Sequence, residues 1–171
     1  MTVFFTADTH FGHANIIGYL NRPWATVDEM SEGLIERWNS VVTPNDTVYH
    51  LGDFSMRIHK NEIQDILERL NGNKTLVAGN HDDTATRKAD GWYKVYEGSL
   101  YVFGDSKTLI LRHIPFDDWN TNYKYHAHLH GHTHGGARRP YTQLPNRYDV
   151  GVDCWDYYPV TYDQIIERFK K

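Results

Sequence analysis

Three short β-favouring runs, Val3-Phe4-Phe5-Thr6-Ala7, Thr47-Val48-Tyr49-His50-Leu51 and Lys74-Thr75-Leu76-Val77-Ala78, each stop at a glycine or a polar cluster, with helix-forming stretches between them. Strand, helix and strand at this spacing imply parallel strands joined by right-handed crossovers. In such sheets the chemistry sits at the carboxyl ends of the strands. Asp8, Asp53 and Asn80, which follow the three runs, are therefore expected to meet at one edge.

The intervening segments fit that frame. Asn15 to Leu20 reads as a short helix. Thr26 and Glu29 form a capping box for a helix reaching Val42, with Val27, Met30, Leu34, Trp38 and Val41 in one apolar stripe. Asn61 to Leu70 is a second amphipathic helix, stopped by Asn71-Gly72-Asn73. Tyr93 to Phe103 reads as one or two strands. Gly104 to Lys107 forms a hairpin turn, and Thr108 to Arg112 returns. Residues 117–125 form a polar and aromatic loop near the site mouth. Tyr148 to Val152 is a last strand, and Thr161 with Gln164 caps a closing helix that turns Ile165, Ile166 and Phe169 inward. The whole chain, 1–171, is expected to be one domain with its own core.

Composition excludes several functions. Net charge is −4, so no basic footprint suits duplex nucleic acid. No apolar run is long enough to span a membrane, and no signal-peptide pattern opens the chain. The single Cys154 excludes an internal disulfide framework and thiolate zinc sites, so a cytoplasmic setting is expected.

The chemistry-bearing residues are His, Asp and Asn. Asp8 and His10, two apart in extended chain, are expected to point to the same side. A carboxylate with an imidazole suits a transition metal. Asp53 at a strand tip can bridge two cations. His113 follows the return strand. His126, His128, His130, His132 and His134 alternate, which fits extended chain and not a helix face. Gly131 is expected to turn the backbone, letting His132 and His134 reach two different cations, while His130 buttresses a ligand from behind. His126 and His128 read as strand residues, and Asp153 as structural. His13, Asn15 and Arg57 stand where they can contact a substrate phosphate. Arg138, Arg139 and Arg147 read as a solvated loop.

Asp8-x-His10, Gly52-Asp53, Gly79-Asn80-His81-Asp82, His113-x-Pro115 and Gly131-His132-x-His134 occur in the order found in the calcineurin-like metallophosphoesterases, and the chain resembles their small bacterial and phage members. The resemblance implies an α/β, four-layer αββα sandwich of two mixed sheets flanked by helices. It implies that Asp8, His10 and His134 hold one metal, that Asn80, His113 and His132 hold the other, and that Asp53 bridges. His81 would be the catalytic histidine, with Asp82 orienting it. The cofactors would be two divalent transition metals, manganese foremost, with iron, nickel, cobalt and zinc compatible with nitrogen and oxygen ligands. Such ions, about 3.5–4 Å apart, clamp a phosphate and share a water whose pKa falls to about 7. The expected function is therefore a binuclear metal-dependent phosphoesterase using metal-bridging hydroxide. With no room in the chain for a cap domain, it leans to phosphodiesters such as nucleotides or cyclic nucleotides, with a small phosphoester as partner. The alternatives are a phosphomonoesterase of the same fold and a non-catalytic His-rich metal-binding protein. An HD-type phosphohydrolase is disfavoured because His81-Asp82 follows a β-like run.

Overall fold

The computed structural model describes residues 1–103, 108–117, 119, 126–136 and 144–169. The hairpin turn expected at 104–107, most of the 117–125 loop, and Arg138 and Arg139 lie outside them, as does the side chain of Phe169.

The amino-terminal half alternates as expected. Strand β1 (Val3–Thr6) leads to helices α1 (Ala14–Leu20) and α2 (Val27–Val41), and then come β2 (Thr47–His50), α3 (Lys60–Arg69) and β3 (Asn73–Val77). A short helix α4 (Thr84–Arg87), capped by the Asp83 side chain on the Thr86 N–H, precedes β4 (Lys94–Tyr96). Strands β1 to β4 are parallel. The chain then changes sheets. Gly98, at φ 90°, separates β4 from β5 (Ser99–Phe103), which pairs antiparallel with β6 (Thr108–Arg112). Strands β7 (His126–His130) and β8 (Arg147–Asp149) extend this second sheet in parallel. Finally β9 (Val160–Thr161) joins the first sheet antiparallel to β1 and runs into α5 (Tyr162–Phe169). The strand orders are β4-β3-β2-β1-β9 and β5-β6-β7-β8, so both sheets are mixed and helices flank them.

Period-two alternation explains the layering. Phe4, Val48 and Leu76 point outward onto Met30, Leu34, Trp38, Ile63 and Leu67 of the helices. Phe5, Ala7, Leu51 and Val77 point inward against Leu111, Ala127, Leu129, Tyr148 and Val150 of the second sheet. The capping boxes at Thr26 and Thr161 form as expected. The expected Tyr148–Val152 strand is shorter. After Asp149 the chain bends so that Gly151 pairs with Ala7, and Val152–Cys154 becomes a 3-10 turn. That pairing joins the two sheets at the edge where their parallel strands end. No described helix is long and apolar enough to cross a membrane.

Candidate metal centre

The carboxyl ends of β1, β2, β3, β6 and β7 deliver the expected residues to this joined edge. Two groups have ligand atoms lying within 4.8 Å of one another: Asp8, His10 and His134, and Asp53, His113 and His132. Asp53 stands between them. Its Oδ2 is 3.3 Å from His113 Nε2 and 3.7 Å from His10 Nε2. Asn80 joins the second group, its Oδ1 3.1 Å from His113 Nε2.

The backbone reaches this arrangement differently from the extended chain expected. Asp8, His10, Asp53, His132 and His134 adopt φ of 60°, 54°, 54°, 71° and 47°. Left-handed backbone at a non-glycine residue costs of order 1–3 kcal/mol and persists only where the surroundings impose it; Asp and His tolerate it better than most. Gly131 does not make the turn at its own position; His132 and His134 do. Gly131 is needed for close approach, because a Cβ there would lie 2.6 Å from Ala7 Cβ and 2.7 Å from Asp8 Oδ2. Gly151 faces the same oxygen at 2.6 Å, so two glycines cradle the Asp8 carboxylate. Gly79 plays this part for Asp53, whose Oδ1 would collide with a Cβ there. The Gly-Asp and Gly-Asn pairs of the sequence thus mark strand tips packed backbone against backbone.

Hydrogen bonds aim the His113 and His134 rings and fix the backbone at His81 and His132. His113 Nδ1 donates to the Leu51 carbonyl at 2.7 Å, which turns Nε2 toward Asp53 and Asn80. His134 Nδ1 donates to Asp153 Oδ2 at 2.8 Å. The His132 N–H donates to the Asp8 carboxylate, and the His81 N–H to Asp53 Oδ1 at 2.9 Å. The His81 ring is half-buried beside His10, with centroids 5.7 Å apart, and the His13 ring lies 5.4 Å from that of His10. Asn15 and Arg57 are exposed and neither hydrogen-bonds to nor pairs with the cluster.

Asp82 departs from its expected part. Its carboxylate takes no hydrogen bond from the His81 ring. It accepts the backbone N–H of Asp53, Gly79 and Phe54 at 2.9, 2.8 and 2.8 Å, clamping the tips of β2 and β3 together. His130 is buried and its Nδ1 pairs with the Gly131 carbonyl, so it supports the loop carrying His132 and His134. His128 lies under Phe116 and Trp119, accepting the Phe116 N–H and pairing with the Ile110 carbonyl, as a strand residue should. Arg147 is buried and donates to the Phe116 carbonyl, so it is not a solvated loop residue.

The sequence reading missed Arg22 and Asp149. Buried Asp149 accepts from Thr133, Gly135 and Gly151, tying down the His132–His134 loop. Arg22 binds Asp153 through Nε and Nη2. Neither residue sits in a motif or a periodic stripe, and nothing local signals them.

Electrostatics make this a site for cations. Both ring nitrogens of His10 are buried without a hydrogen-bond partner among the described residues. Burial drives His10 far below its ordinary pKa, leaving neutral imidazole with a lone pair to give. Burial also pushes the Asp8 carboxyl up to about 7. For Asp53, burial acts upward, but the hydrogen bond and charge of His113, with the charge of His10, carry it well below the usual carboxylate range. His113 is the reverse: burial opposes its charge, yet Asp53 and Asp8 raise it to about 9. A proton on His113 thus does in part what a cation would do. The donors are nitrogen and oxygen only, which fits divalent transition metals.

A pH dependence follows for chelator-treated protein. Asp8 rises from 3.8 to about 7 on folding and His113 from 6.5 to about 9, while burial lowers His10, His50, His128 and His130; those four take up protons on unfolding only below about pH 7.5, so between about pH 7.5 and 9 the folded state holds more protons than the unfolded state. Stability then falls as pH rises through that window. His113's contribution is complete below 6.5 and gone above about 9. Denaturant midpoints in chelator are expected to decline from about pH 7.5 to 9, and saturating divalent metal should remove the decline. A flat profile in chelator would contradict these shifts.

Residues 1–136 match the calcineurin-like phosphoesterase family. An uncharacterized protein of Methanocaldococcus jannaschii is 35% identical over 173 residues, covering 99% of this chain and 92% of its own. The crystal structure of a protein of unknown function from Aquifex aeolicus aligns with a TM-score of 0.74 at 25% identity, covering 98% of each chain. Pseudomonas putida nuclease MPE shares the fold at a TM-score of 0.50 and 22% identity, over 77% of this chain and 61% of that one.

Proposed function

The chain belongs to the calcineurin-like phosphoesterase family and is a metal-dependent phosphoesterase, and from that premise we propose that it hydrolyses phosphodiesters at a two-cation centre. Asp8, His10 and His134 would hold one ion, and Asn80, His113 and His132 the other, with Asp53 shared. The observation that carries this reading is the position of Asp53 Oδ2, within 3.7 Å of a nitrogen from each group. We take manganese as the first ion to test, and this donor set suits iron, nickel, cobalt and zinc as well. When bound, two such ions supply Lewis acidity toward a phosphoryl oxygen and a water acidic enough to attack near neutral pH.

The residues do the rest. His81, half-buried at the rim with its ring unconstrained by Asp82, holds a proton for the departing oxygen. His13, whose ring lies 5.4 Å from that of His10, would contact the phosphate. A cavity of about 220 Å³ opens off the second group, lined by Asn80, Arg112, His113 and Ile114. It gives a second ester substituent somewhere to lie, which favours diesters over monoesters, nucleotides among them. The Arg112 guanidinium lies over the Phe116 ring at 4.4 Å, fixed at the wall of that cavity.

The test is a comparison of bis-p-nitrophenyl phosphate with p-nitrophenyl phosphate across divalent metals. The diester should be turned over with at least about tenfold higher kcat/KM, roughly 1.4 kcal/mol of transition-state discrimination. Preference for the monoester would reverse the substrate assignment, and metal binding without hydrolysis of either would replace catalysis by metal storage. His81→Ala should keep its metal content and lose about a hundredfold on an alkyl diester, with a smaller loss on the nitrophenyl ester, whose leaving oxygen needs no proton. Equal losses on both esters would remove His81 from the proton-donor role.

A further inference from the structure

Arg22 follows Asn21, the left-handed residue that ends α1, and its side chain is wholly buried. All five of its N–H groups are engaged. Nε and Nη2 donate to the two carboxylate oxygens of Asp153 at 2.8 and 2.9 Å. Nη2 also donates to the Asp8 carbonyl at 2.7 Å, and Nη1 to the Thr9 carbonyl at 2.8 Å and to Met30 Sδ at 3.4 Å. Asp153 passes the constraint on, because its Oδ2 accepts from His134 Nδ1 at 2.8 Å. That leaves His134 Nε2 as the nitrogen free to take a cation.

One guanidinium therefore holds two things together. It pins the carbonyls of the turn in which Asp8 and His10 are left-handed, and through Asp153 it sets the ring of His134. The other group meets the first where the His132 N–H donates to the Asp8 carboxylate, but it has supports of its own: the Leu51 carbonyl behind His113, and the Asp82 carboxylate under the tips of β2 and β3. We infer that Arg22, acting through Asp153 and the Asp8 and Thr9 carbonyls, is the positioning residue for the ion of Asp8, His10 and His134, and for that ion alone. The inference rests on the two-cation reading above. It predicts that one ion can be lost while the other stays, because Arg22 and Asp153 hydrogen-bond to no side chain of Asn80, His113 or His132.

The geometry also explains why arginine stands here. The acceptors lie on three segments, and a planar fork reaches them at once. A lysine keeps the charge but offers three donors from a single point. Charge alone is not the requirement, because Asp153 already neutralises the guanidinium.

The test uses the whole chain and manganese alone, with Asp153→Asn and Arg22→Lys as variants that keep volume or charge at opposite ends of the brace. Calorimetric titration gives the ions bound per chain, and electron paramagnetic resonance distinguishes an exchange-coupled pair from an isolated ion. The wild type should bind two coupled ions. Each variant that shows native circular dichroism in chelator should bind one ion as the wild type does and the other about 10–100-fold more weakly, with the coupled signal lost at concentrations that saturate the wild type. One folded variant is enough to decide. Two ions bound with wild-type affinity would overturn the inference, and so would equal weakening of both. A wild type that binds fewer than two ions would instead overturn the two-cation reading itself.

Discussion

Asp53→Asn is expected to abolish turnover and paired metal binding in one step. Losing a group that merely orients a ligand costs about 10–100-fold in metal affinity or activity, so losing a shared ligand should cost more than about a hundredfold in both. The substitution keeps the shape of a side chain that is 1% exposed, so the effect should not come from unfolding. It removes the charge, and it sets an NH2 group where one oxygen now accepts the His81 N–H or faces His113 and His10. An amide oxygen bound to one cation is a poor donor to a second. Manganese titration should show at most one ion per chain, and kcat on bis-p-nitrophenyl phosphate should fall to background. A variant that keeps two ions and turns over within tenfold of the wild type would sink the shared role of Asp53.

Asp82→Ala should be the most destabilising substitution near the centre, although Asp82 holds no cation in our reading. The change strips the acceptor from three buried N–H groups, those of Asp53, Phe54 and Gly79. An unpaired buried donor costs about 1–3 kcal/mol, so the total should be about 4 kcal/mol. For a chain of this size that lowers Tm by roughly 10 °C. Asp82→Asn should fall between, because its amide oxygen still accepts on one side while its NH2 opposes a donor on the other. Urea unfolding at pH 8 in chelator measures this without interference from metal. A loss below about 1 kcal/mol would mean that water replaces the clamp. The strand tips that Asp82 joins carry Asp53 and Asn80, so folded variants should also bind metal more weakly at the second group.

The legible parts of the fold were those with local causes. Helix α2 was readable because its apolar stripe and its Thr26–Glu29 box are written within one segment. The parallel order of β1, β2 and β3 followed from the crossover spacing. The Tyr93–Phe103 stretch was harder. Its residues favour strand on both sides of Gly98, and only packing decides that β4 goes to the first sheet and β5 to the second. The site showed the same division. Asp8 and His10 were expected to converge through extended chain, and they do come together, but through left-handed turns, with Gly131 and Gly151 packed against the Asp8 carboxylate. Asp153 was taken as structural, and it is, though what it structures is His134.

By itself the sequence determined which segments alternate as strand and helix and which Asp, Asn and His residues stand at strand ends. Hydrophobic period, glycine punctuation and helix caps act over a few residues and need nothing distant. Only the tertiary structure decided how those side chains are held: Asp82 beneath two strand tips, Asp149 under the histidine loop, and Arg22 bonded to Asp153 across 131 residues of chain. Such contacts carry no local pattern. A buried polar group takes whichever partner the packed chain brings within reach, because leaving it unpaired costs more than any local preference can supply.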